Sequence, residues 1–192
     1  MATEVTIVNA ALIAIGARTI ATLADNTPGA RLANSRYIPL RDDLLRDHPW
    51  NFAMRRVTLE ANAVGVDWGF ANAYLLPTDC LIVREVNGQD SGEDWRVERI
   101  SNGTVIATDL GPPAAIRYTA RITDVDIMDA RFREALAAVC AADWCEKLTG
   151  SSDQTDKLRR VAIFKLQAAR HADGQEMTPE RLEAFGWTDS RW

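Results

Sequence analysis

The stretch "RDHPWNFAMRRVTLE", residues 46–60, changes the period of the chain. Up to His48, apolar residues recur at helical spacing. Beyond Phe52 they alternate, with Val57 and Leu59 set against Arg56, Thr58 and Glu60. A helix that reaches this point must end, because Pro49 has no N–H to donate and its ring disfavours helical backbone in the preceding residue. A period near 3.6 and a period of 2 bury their apolar residues on different kinds of surface. One chain must therefore hold a helical part and a sheet part together at this junction. Two readings of the junction are open: a cleft lined by His48, or a mechanical joint.

Helix signals flank the junction on the N-terminal side. Thr3 is an N-cap candidate, Val5, Val8, Leu12 and Ile15 share a face, and Gly16 supplies the stop. Thr27-Pro28 reads as the cap and first-turn proline of a second helix, with Ala33, Tyr37, Leu40 and Leu44 as its stripe. Pro39 interrupts that stripe and should kink or weaken the helix. After the junction, short strands are expected at about 80–86, 95–100, 104–108 and 115–122, with Asn87-Gly88 and Asn102-Gly103 as turn dipeptides. In the last strand Ile116, Tyr118, Ala120 and Ile122 face one way, and Arg117, Thr119 and Arg121 the other.

Helices return at Asp129. Phe132, Leu136, Val139, Cys140, Trp144 and Leu148 form one stripe, which Gly150 closes. Ser151 or Ser152 caps the next helix, predicted to run to about Ala172. That helix is apolar on more than one side: Leu158, Ala162, Leu166 and Ala169, but also Val161, Phe164 and Ala168. Such a helix packs between two neighbours or faces another subunit. Thr178-Pro179 opens a final short helix that Gly186 ends.

This order predicts an α+β fold, mainly α. Residues 1–53 and 123–173 would form a four-helix bundle, because each stripe needs cover. Residues 54–122 would be a small antiparallel β region inserted into it, and residues 174–192 a C-terminal docking tail. Phe185, Trp187 and Trp192 in that tail either fold back on the body or anchor on a partner, with Arg191 available for a charge-assisted contact.

Composition narrows the function. A chain of 192 residues is one domain, or one domain with an insertion, and needs no metal or disulfide staple to bury a core. A net charge of −5 argues against a nucleic-acid grip by a basic face. Residues 1–53 carry five acids and five bases, 54–122 nine and seven, and 123–192 thirteen and ten, so no block of like charge is expected to mark a polybasic patch. Cys80, Cys140 and Cys145 form no CxxC pair, which favours reduced, cytoplasmic folding. Glu4 and the lack of a basic leader in the first helix argue against a signal peptide, and no apolar run approaches ~18 residues.

Chemical motifs are sparse. Two histidines, His48 and His171, do not make a histidine-rich metal site, and Cys140 and Cys145 lie five apart on a helix, a poor geometry for a shared zinc. There is no P-loop, dinucleotide glycine fingerprint or GxSxG elbow. His48 could be a general base oriented by Asp47 or Asp43. It could equally sit in the last helical turn, where a donor suits the exposed carbonyls. Asp42-Asp43 reads as a solvated face flanked by Arg41 and Arg46.

Four stretches together resemble one family: "IVNAALIAIGA", "RYIPLRDDLLRDHPWNFAMRRVTL", "YLLPTDCLIVREVNG" and "FREALAAVCAADWCEKLTGS". They are similar to the tail tubular protein A family, the head-to-tail adaptors of short-tailed bacteriophages and related prophages. The resemblance runs over residues 5–172, its most specific piece being "LLRDHPWNFA"; "DSRW" resembles the family's aromatic, basic end. It implies a non-enzymatic virion structural protein, without catalytic residues, metal or cofactor. Such a protein is assembled in the host cytoplasm and resides in the neck or tail of the particle. It forms a ring with itself, usually twelve copies, that joins the portal protein to the tail nozzle. DNA passes through the lumen without sequence-specific binding, and no membrane is involved. On this reading His48, Pro49, Trp50, Asn51 and Phe52 are a structural joint, and Phe185, Trp187, Arg191 and Trp192 dock a partner. Other classes remain open: a small phage-encoded hydrolase using His48, or a monomeric cytoplasmic binding module.

Overall fold

The computed structural model describes residues 3–61, 68–88 and 95–176. Four helices form where local signals place them: α1 (Glu4–Ile15), α2 (Pro28–Asp47), α3 (Ala130–Thr149) and α4 (Ser152–Gln175). Each begins on a side-chain cap. Thr3 and Thr6 close a reciprocal capping box on α1, and Thr27, Asp129 and Ser151 accept from the first-turn amides of α2, α3 and α4. Gly16 and Gly150 end α1 and α3 in left-handed backbone, at φ 81° and 71°, which costs glycine least. α2 runs through Pro39, which lies on its exposed side, so the helix loses a donor without losing core contacts.

The strands are β1 (Met54–Leu59), β2 (Asn72–Leu75), β3 (Cys80–Val86), β4 (Trp95–Ile100), β5 (Gly103–Thr108) and β6 (Ala114–Ala120). They form two antiparallel three-stranded sheets, ordered β1-β6-β3 and β2-β5-β4. Asn87 and Gly88 just past β3 have positive φ, 50° and 81°, but β3 and β4 lie in different sheets, so the dipeptide is not a hairpin turn; Asn87 instead exchanges two 2.7 Å hydrogen bonds with the Ala115 backbone of β6. β2 is a strand that the alternation of residues 54–122 did not single out; its four residues pair with β5 from Asn72–Thr108 to Leu75–Val105.

This architecture corrects the expected four-helix bundle with a small inserted β region. Among the described residues 49% are helical and 22% in strands, too much sheet for an appendage. The helices do not close on a core of their own. α1, α2 and α4 each pack against α3, and α2 also packs against β3 and β6. One hydrophobic cluster runs through the whole body, joining Val8, Leu12, Tyr37, Phe132, Leu136 and Trp144 of the helices to Tyr74, Val86, Ile106, Ile116 and Tyr118 of both sheets. The reason is that periodicity reveals which face of each element is apolar, not which other element covers it. The fold is a mixed α+β body with a shared core.

The faces of β6 show the same limit. The alternation puts Thr119 on the same face as Arg117 and Arg121, yet it is fully buried. β6 is the middle strand of its sheet, and the second face is covered by its flanks: Arg84 Nε donates to Thr119 Oγ1 at 3.0 Å, and Thr119 Oγ1 lies 3.8 Å from Met54 Sδ.

Candidate functional site

The junction at residues 48–52 brings together three elements distant in sequence. At the end of α2, Trp50 folds back under its own helix. Its indole Nε1–H donates to the Leu44 carbonyl at 2.8 Å, satisfying one of the carbonyls that a helix C-terminus leaves without a partner. The ring is 1% exposed and sits in an aromatic cluster. Its centroid lies 4.9 Å from Phe132 and 4.6 Å from His48, both edge-to-face, while Phe52 meets Phe132 at 5.0 Å. Edge-to-face pairs at these distances add to the stabilisation from burial alone. Phe132 is in the first turn of α3, so the cluster ties α2 to α3 and to the start of β1.

The far end of α4 closes the joint. Asp173, only 7% exposed, accepts a hydrogen bond from the Asn51 backbone amide on Oδ1 at 2.9 Å, and its Oδ2 lies 3.1 Å from His48 Nε2. Asn51 Nδ2 donates in turn to the Asp173 carbonyl at 2.7 Å. One turn earlier on α4, Arg170 forms an ion pair with Asp47. Pro49 frees the chain from helical geometry between these contacts, so that His48 and Asn51 point at one carboxylate. With Asn51 N–H on one oxygen and His48 Nε2 against the other, both oxygens of the buried Asp173 carboxylate have a partner, whereas an unpaired one would be costly to bury.

Sheet and helix are also stitched on the other side of the junction. Arg84 of β3 donates from Nη2 to the Arg46 carbonyl at 2.7 Å, and Arg46 reaches the Leu81 carbonyl. Arg41, 2% exposed, holds Asp42 at 2.8 Å and Glu4 of α1 at 3.4 Å, while Arg121, just past β6, holds the other Asp42 oxygen at 2.9 Å. Asp42 is thus a tie between α1, α2 and the exit of the sheet, not part of a solvated face; Asp43 is exposed.

These positions bear on the chemistry considered for His48. Its carboxylate partner is Asp173, from the opposite end of the chain, and neither Asp47 nor Asp43. Asp47 is occupied by Arg170. Among the described residues no group of three or more His, Cys, Asp or Glu could hold a metal ion, and no helix is long and apolar enough to cross a membrane. Burial pushes the Cys80 thiol up to about 11, with Asp79 adding to the shift, and burial raises Cys140 further. Both are poor nucleophiles at neutral pH, since the thiolate is the reactive form. Phe185, Trp187, Arg191 and Trp192 lie outside the described residues, as does most of the segment 174–192.

A second surface was hidden in the sequence. From Lys157 to Ala172 the chain carries five Lys and Arg and no Asp or Glu. Counting charge by thirds of the chain averaged this run away; a helix-length window would have found it. Likewise no local signal near HPWNF names Asp173 as its partner, because Asp173 lies 122 residues from Asn51.

Comparison with protein-family models and with curated proteins finds no match to this sequence.

Proposed function

We propose that the chain is a head-to-tail adaptor of the tail tubular protein A type: a non-enzymatic virion protein that forms a ring, usually of twelve copies, between portal protein and tail nozzle. The observation that carries this reading is the "LLRDHPWNFA" stretch, the most specific piece of the resemblance, which forms the joint described above. An adaptor must engage one partner with each of two parts and transmit load between them. In this chain Trp50, Phe132, Asn51 and Asp173 bind helices and sheets into one body, so the two parts cannot rotate independently. The mildly acidic chain also suits a DNA conduit, since every Lys or Arg contact to phosphate would release counterions and retain the passing duplex. On this reading residues 174–192, with Phe185, Trp187, Arg191 and Trp192, dock a partner, the particle neck is the protein's place, and no cofactor is needed.

The test is direct. Co-expression with the portal protein encoded in the same genome, followed by electron microscopy, should show a ring of adaptor copies seated beneath the portal ring. Purified portal that captures none of this protein would overturn the reading. The alternative of a hydrolase rests on the His48–Asp173 pair alone, and substitution of His48 decides it.

A further inference from the structure

Three consecutive residues of β3, Leu81 to Val83, and three of β4, Trp95 to Val97, line one open cleft of about 950 Å³. Successive side chains of a strand point to opposite faces, so a run of three borders one cleft where the strand turns its backbone edge to it. Among the described residues β3 pairs with β6 alone, and β4 with β5 alone. The register settles what β4 presents at its other edge. The Thr104 carbonyl of β5 accepts the Leu76 amide on the β2 side, and alternate residues of a strand bond to opposite neighbours. Thr104, Ile106 and Thr108 therefore turn their backbone groups toward β2. Their partners across β4, Arg99, Val97 and Trp95, turn theirs away from β5. Outward N–H and C=O groups at every second residue are the template on which an extended chain pairs.

The lining specifies what that chain carries. Leu81 and Val83 are buried, and Trp95 packs against the same core cluster, so one side of the cleft is an apolar floor. Val97, on the face of β4 that Trp95 shares, is 47% exposed. Among the described residues of the lining, Arg46 and Arg96 are the only charged ones, and neither forms an ion pair. The Trp95 indole Nε1 is buried with no acceptor among the described residues, a cost that an acceptor arriving in the cleft removes. A strand is about 4.8 Å wide between neighbours, about 10 Å deep with its side chains and about 3.3 Å long per residue, so the cleft holds roughly six residues. Alternate side chains of such a strand meet the apolar floor, and the others stand beside Arg96. Residues 177–192 contain no alternation of apolar and acidic residues. A second copy offering its free β1 edge would bring Arg55 and Arg56 to Arg46 and Arg96, like charge to like.

We propose that the cleft between β3 and β4 is a docking site for an extended segment of another protein, about six residues of alternating apolar and acidic side chains, which pairs with the free edge of β4. The site goes beyond the adaptor reading and does not rest on it.

Fluorescence anisotropy with the full chain tests it. The probes are a labelled hexapeptide of alternating valine and glutamate, the same peptide with lysine for glutamate, and an N-methylated copy that lacks the amides of its pairing edge. Wild type should bind the glutamate peptide with a Kd below about 100 µM and the lysine peptide at least about ten-fold more weakly. It should not bind the N-methylated copy. Val97→Pro removes an N–H that the β4–β5 ladder does not use, so it should abolish binding and leave the thermal melt unchanged. Arg96→Glu should weaken the glutamate peptide about ten-fold, and it is the second variant should the proline disturb folding. No binding of the glutamate peptide up to about 1 mM overturns the proposal, as does a lysine peptide that binds equally well. Binding that survives both N-methylation and Val97→Pro also overturns it, by making the contact a side-chain or anion site. Two further arms cover the other occupants. Self-association in sedimentation velocity that the peptide dissolves assigns the cleft to a second copy, and peptide binding seen only after deletion of residues 186–192 assigns it to the chain's own tail. Either result overturns the proposal. Portal capture is a separate readout, so failure of the docking site leaves the adaptor reading standing, and failure of capture leaves the docking site standing.

Discussion

The Asp173 carboxylate accepts the backbone amide of Asn51 at 2.9 Å across 122 residues of chain, so the last turns of α4 are locked to the first turn after α2. The same carboxylate faces His48 Nε2, and the Asp173 carbonyl accepts the Asn51 side chain. This one acid therefore ties α4 to the helix–sheet junction, beside the Trp50 cluster, and that has a measurable consequence.

Asp173→Ala should destabilise the protein by about 2–3 kcal/mol, because it leaves the Asn51 amide and His48 facing a vacated site. Asp173→Asn keeps one acceptor oxygen and should cost less than half as much. Urea unfolding followed by circular dichroism checks both. Equal losses for the two variants would mean that charge, not hydrogen bonding, is what the site uses.

Trp50→Ala should cost about 3–5 kcal/mol, a large part of a domain's stability, since it empties a fully buried aromatic site. Trp50→Phe keeps most of the ring volume but removes the donor to the Leu44 carbonyl, and should cost about 1–2 kcal/mol. Thermal melts rank the two. A Trp50→Ala protein with wild-type stability would show that the aromatic cluster does not hold the joint.

His48→Gln should change stability by about 1 kcal/mol or less, because the glutamine amide can still donate toward Asp173. On the adaptor reading, portal binding is unchanged and no hydrolytic activity is lost. The check is an esterase and phosphatase substrate panel run on both proteins. A turnover present in wild type and absent in a folded His48→Gln variant would replace the adaptor reading with the enzyme.

Asp143 supplies a pH dependence. Burial pushes its carboxyl up, but the hydrogen bonds and charges of Arg36 and Lys147 outweigh burial and hold it below the ordinary value of 3.8. The Arg36 contact is two-pronged, at 3.1 Å for each pair of atoms. A carboxyl whose folded pKa is depressed contributes stability that is fully present above its unfolded pKa and is lost as pH falls through the folded one. Asp143→Asn should therefore be less stable than wild type at pH 7, by no more than about 1 kcal/mol because the pair is partly solvent-screened. The difference should shrink below about pH 4. Unfolding midpoints of the two proteins between pH 7 and pH 3 measure it; a gap that widens on acidification contradicts the assignment.

Deletion of residues 186–192 should leave the thermal melt within about 0.5 kcal/mol of wild type and abolish portal capture, as expected of a docking segment. The comparison needs only a melt and a pull-down. A truncated protein that melts much lower would place Trp187 and Trp192 with the core instead.

Local chemistry alone determined where most elements begin and end. The caps at Thr3 and Thr27, the helix start at Asp129, a serine cap at 151 or 152, the stops at Gly16 and Gly150, and strands β3 to β6 were legible, because each depends on groups within a few residues of one another. The period change at HPWNF likewise placed the joint, since the missing N–H and the ring of Pro49 act only on the few residues before it. Tertiary structure decided everything that needed a partner. It divided the strands between two sheets, carried one core through helices and sheets, and buried Thr119. It also gave His48 and Asn51 their acid from the far end of α4, and turned Lys157, Arg160 and Phe164 outward together. An apolar face or a polar side chain specifies that something must cover it, but the choice among all surfaces of the chain is settled only by simultaneous packing, which no local window contains.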